Sequence, residues 1–95
     1  MLDHSKVDPV ASGRPYTVTS VNDTVPRCLD DFVSRDVIAL TVAARDQVVE
    51  IHGSAHRASE EVVVHEKDGD GMGKDVRTWQ IAIQEGRFEA VQRSI

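Results

Sequence analysis

Three aspartates and three glycines share eleven positions in "HEKDGDGMGKD", residues 65 to 75. Hard cations such as calcium and magnesium take carboxylate and carbonyl oxygens, so Asp68, Asp70 and Asp75 are candidate ligands for a weakly held ion. The spacing of an EF-hand loop is not met. Counting from Asp68 puts Asp70 third but Met72 fifth and Trp79 twelfth, and counting from Glu66 puts Arg77 twelfth. Neither frame supplies the bidentate glutamate, and both flanks read as strand rather than helix. The expectation is a long, mobile, acidic connection, with no metal or other cofactor assigned.

The other reactive side chains are equally sparing. "HGSAH" gives His52 and His56 the i, i+4 spacing of zinc-binding helices. On a strand rising about 3.3 Å per residue they stand about 13 Å apart, too far for one ion. His65 could approach one of them across strands, but no third ligand is evident. "GMGKD" lacks the spacing and the strand-to-helix setting of a phosphate-binding loop. No serine sits in a nucleophile elbow. The lone Cys28 cannot form an internal disulfide and is expected as a packed thiol on an apolar helix face. These absences point to a protein that is not an enzyme.

Binding chemistry is the remaining class. Arg77, Arg87 and Arg93 are expected on the side of the C-terminal hairpin opposite Trp79, as a basic face for a partner. A formal net charge of −5 argues against nucleic acid as that partner, because Lys and Arg supply most of such affinity. The 95 residues form one domain, 15–95, after a flexible N-terminal arm, 1–14, that contains Pro9, Ser12 and Gly13. No apolar run reaches the roughly 20 residues of a membrane helix, and the polar N-terminus does not read as an export signal, so the expected location is cytoplasmic.

The elements that must position these residues follow from hydrophobic period. "YTVTSV", residues 16–21, reads as a strand. Val25, Cys28, Leu29, Phe32 and Val33 then fall on one helical stripe, with Asp23 or Thr24 as N-cap and Pro26 in the first turn, which predicts a helix over 24–34. "DVIALTVAARDQVVEIH" alternates, and folding it at Arg45-Asp46 sets Val42 opposite Val49, Leu40 opposite Ile51, Thr41 opposite Glu50 and Ala39 opposite His52. "GSAHRASEE" reads as a polar connection and "VVVHE" as a strand. In "VRTWQIAIQEGRFEAVQRSI" a turn at Glu85-Gly86 lays Phe88 across from Ile83 and Ala90 across from Ile81, although Glu is a poor first residue for a type I′ turn.

The segments "GSAHRASEE" and "QEGR" lie where an RNA-binding motif and an Arg-Gly turn would fall if residues 24–94 were one helix followed by five strands of the Sm type. In that order of elements the chain resembles the Sm and Lsm proteins. Neither motif matches, so the resemblance implies topology only and carries over no RNA-contact residue. The fold expected is α+β, a mostly antiparallel sheet or small half-open barrel of five to six strands with one helix. The function expected is an interaction or regulatory domain that binds a protein partner, or a second copy of itself, through a sheet edge or outer sheet face. An Sm- or OB-like barrel for single-stranded nucleic acid is the alternative.

Overall fold

A computed structural model of the chain describes residues 13–69 and 71–93. Six antiparallel strands run in sequence: β1 (Pro15–Val21), β2 (Ile38–Ala44), β3 (Gln47–Ala58), β4 (Glu61–Lys67), β5 (Asp75–Gln84) and β6 (Arg87–Arg93). Each pairs with the next, and β6 returns to β1 at Pro15↔Val91, so the sheet closes into a barrel. The alternation read from the sequence sets its registers. All four β2–β3 pairs expected around Arg45-Asp46 are present, as are Ile83↔Phe88 and Ile81↔Ala90. Glu85 and Gly86 take φ of 53° and 78°, the two left-handed residues that a type I′ turn requires. Strand pattern therefore overrides the weak turn residue.

The interior follows from period two. Leu40, Val42, Val49, Ile51, Val62, Val64, Trp79 and Ile81 point inward from four strands. On β1, Val18 and Val21 are three residues apart, which a regular strand would send to opposite faces. A register shift between Val18 and Ser20 lets both enter the core. The Tyr16 and Trp79 rings meet edge to face at 5.6 Å between centroids, an arrangement aromatic quadrupoles favour.

The helix predicted over 24–34 is not formed, and the domain is essentially all-β rather than α+β. Asn22 and Asp23 both take positive φ, and Val21 and Thr24 exchange backbone hydrogen bonds, so the chain reverses tightly after β1. Only Leu29–Phe32 winds, as a single 3₁₀ turn, η1. Val25 is 71% exposed and Cys28 is exposed as well, so the stripe and the packed thiol expected from spacing do not hold. Physically, an isolated 11-residue helix with Pro26 and β-branched residues is marginal, and it survives only if a neighbour buries its stripe. The barrel end fully buries Leu29 and Phe32, three apart and therefore eclipsed on a 3₁₀ turn, and Val33 packs only partly against it. The Phe32 ring meets that of Phe88 at a tilt of 56° with 5.4 Å between centroids and closes that end. An integral first strand and the loss of the helix also remove the element order that resembled Sm proteins.

Residues 1–12 of the expected arm lie outside the described residues. No helix of the described residues is long and apolar enough to cross a membrane.

Candidate functional site

The polar connection expected at "GSAHRASEE" is mostly strand, and this decides where the barrel opens. β3 is twelve residues long and serves two partners in succession. Residues 47–53 pair with β2, and residues 53–58 pair with β4. The handover falls at Gly53, where a Cβ would stand 1.9 Å from the His65 carbonyl oxygen, so only glycine permits the crossing. Before that point β4 has diverged from β3. Residues 48–52 consequently have β2 on one side and no strand on the other.

The gap between them is a groove of about 440 Å³. Val48, Val49, Glu50 and His52 form the β3 wall, and Glu66 to Gly69 with Val76 and Arg77 form the other. Val48 and Val76 are 60% and 50% exposed, so each wall presents an apolar side chain to solvent. Beneath lies a polar network. Arg77 donates Nε and Nη2 hydrogen bonds to the two Glu66 carboxylate oxygens at 2.8 and 2.9 Å, and Trp79 Nε1 donates to Glu66 Oε1 at 2.9 Å. Glu66 is 8% exposed and is the one charged side chain buried among the described residues.

The three arginines expected to share a face are separated. Arg77 has the same parity as Trp79 and Ile81, so strand alternation sends it inward to Glu66, not outward. Arg87 and Arg93 do point outward from β6, six residues and so about 20 Å apart. Arg87 lies 3.6 Å from Glu85, and Arg93 donates to Gln80. They form no single basic patch. The four aromatic side chains of the chain are occupied internally: Tyr16, Phe32 and Trp79 are buried, and Phe88 packs against the core.

The aspartate loop is tied back rather than extended. Asp68 N–H donates to Lys74 O and Gly73 N–H donates to Asp68 O, at 2.8 and 3.0 Å. Gly71, with φ of 95°, is buried against Val37 and the Gly53 backbone, where a Cβ would come within 2.7 Å of Val37 Cγ1. Asp68 accepts a hydrogen bond from Gly69 N–H. Asp75 is taken by Lys67, whose ammonium hydrogen bond holds that carboxyl below the usual range, with His65 Nδ1 at 3.9 Å adding to the effect. Asp70 lies outside the described residues. His56 and His65 do meet across strands, their rings stacked at 5.5 Å. Among the described residues no three His, Cys, Asp or Glu side chains converge on a metal position.

Two further carboxyls support the scaffold. Asp31 is lowered by the backbone N–H groups of Arg27 and Cys28, which fixes the entry to η1. Asp46 is lowered by a hydrogen bond from Arg14, which ties the start of β1 to the β2–β3 turn. In comparisons with protein-family models, curated proteins and solved structures, nothing matches the chain.

Proposed function

We propose that this chain is a small non-enzymatic interaction domain, acting in the cytoplasm, that binds a protein partner by adding an extended segment to the open edge of β3. The observation that carries the reading is that residues 48–52 pair with β2 alone while a groove stands open on their other side. Five residues offer about 16 Å of edge at the strand rise. Because an antiparallel ladder uses both backbone groups of alternate residues, that length carries about four to six hydrogen bonds, each contributing roughly 0.5–1.5 kcal/mol net. Strand addition of this kind draws its affinity from the main chain and its selectivity from flanking side chains. Val48 and Val76 supply the apolar share of those contacts.

The nucleic-acid alternative has less support. Single-stranded binding needs exposed aromatic platforms along a basic groove. Here the aromatics are internal, and the outward arginines of β6 are dispersed.

Site-resolved photocrosslinking in the native host tests the reading. A photoreactive residue at position 48 should give a dominant protein adduct, and the same residue at position 91 on the outer face of β6 should not. Adducts centred on position 91, or salt-sensitive binding of oligo-U that shifts Arg87 and Arg93, would refute it.

A further inference from the structure

The charges that line the groove define what kind of segment it takes. Within it Glu66 is neutralised by Arg77, and Lys67 is neutralised by Asp75. Glu50 and Asp68 have no cationic partner among the described residues. One of them stands on each wall, Glu50 in the middle of the open edge and Asp68 at the end of β4. An extended chain laid along residues 48–52 therefore passes between two uncompensated carboxylates, with the exposed Val48 and Val76 beside it.

A second copy of this chain fits poorly there. In a symmetric antiparallel pairing that uses all of residues 48–52, the centre is Glu50, and each Glu50 faces its own counterpart. Like charges directly opposite one another destabilise a strand pair. Moving the centre to Ile51 would set Glu50 against His52 of the other copy. That register leaves only residues 50–52 of the open edge in use, because Gly53 is already paired with Glu66. The symmetric register that uses the whole of residues 48–52 therefore carries the like-charge contact, whereas a heterologous segment does not.

Resting on the edge-binding reading above, we propose that the β3 groove takes an extended basic segment of another protein, with a Lys or Arg set opposite Glu50 and within reach of Asp68, and apolar β-branched residues against Val48 and Val76. Charge complementarity of this type sets selection among partners more than raw affinity. It also weakens with salt.

The test uses the full chain and two end-capped synthetic peptides, Thr-Val-Thr-Lys-Thr-Val-Thr, whose valines share a face with the lysine, and the same sequence with Glu in place of Lys. Amide resonances are followed during titration of each. The Lys peptide should shift residues 48–52 and 67–69 and bind about tenfold more tightly than the Glu peptide. That ratio should fall to about threefold in 0.5 M salt. The variant Glu50→Lys, whose side chain points to solvent, should reverse the preference. Equal binding of both peptides at residues 48–52 overturns the charge selection while leaving the edge reading intact. Failure of both peptides to shift residues 48–52 overturns the two together. Concentration-dependent dimerisation of the free chain that shifts Glu50 and His52 makes a second copy the occupant and overturns the proposal.

Discussion

Replacing Arg77 with methionine, while leaving Glu66 in place, should destabilise the fold by about 3 kcal/mol. The variant loses two charge-assisted hydrogen bonds, at 2.8 and 2.9 Å, and leaves a carboxylate that is 8% exposed with the Trp79 indole N–H as its one remaining side-chain donor among the described residues. Breaking one side of a buried ion pair costs about 3–5 kcal/mol, because the remaining charge is stranded. The groove beside Glu66 admits some water, which places the expectation at the lower end of that range. For a domain of this size, such a loss corresponds to a drop in Tm of roughly 12–24 °C. The double variant Glu66→Gln with Arg77→Met removes both charges, keeps an oxygen to accept from Trp79 Nε1, and should recover about 1–2 kcal/mol of that loss. Urea denaturation followed by the fluorescence of Trp79, the single tryptophan, reports on the same network it helps to form. A loss below about 1 kcal/mol in the single variant, or a double variant as unstable as both singles summed, refutes the assignment of Glu66 and Arg77 as a coupled buried pair.

Gly53→Ala should be among the most damaging single-atom additions, costing about 3 kcal/mol by overpacking against the His65 carbonyl, and amide exchange should quicken first along the β3–β4 pairing. Glu85→Asn should stabilise by roughly 0.5–1 kcal/mol, since Asn tolerates the positive φ that Glu85 now adopts; an unchanged urea midpoint would contradict this. The carboxyls of Asp31, Asp46 and Asp75 are depressed in the folded state, so the stability they contribute is present above the unfolded value of about 3.9 and is lost as pH falls through their lower folded values. Tm should therefore fall steeply only below about pH 4, and Asp75→Asn should flatten that slope.

How much could be read in advance depends on whether local pattern or global closure set each feature. The β2–β3 and β5–β6 registers were legible because a one-residue slip would turn Val42, Val49 and Ile81 out of the core. The inward position of Arg77 was legible in principle, since it is two residues before Trp79, but a charged side chain at an interior parity is easily assigned to solvent. Its partner Glu66 carries the same signal, two residues after Val64. The helix misled because its stripe was complete in sequence, whereas the barrel took up Leu29, Phe32 and part of Val33 and left Val25 and Cys28 exposed.

The sequence alone determined the β2–β3 and β5–β6 pairings, their apolar faces and the turns at residues 45–46 and 85–86, because alternation and turn chemistry act within a few residues. The tertiary structure decided the closure of β6 on β1, the reduction of a helix to one turn, and the handover of β3 from β2 to β4 at Gly53. That last event depends on backbones approaching closely between segments twelve residues apart in the chain, Gly53 and His65, and no local pattern encodes it. It is also what leaves residues 48–52 without a second neighbour, so the edge on which binding is proposed exists only once the barrel has closed around it.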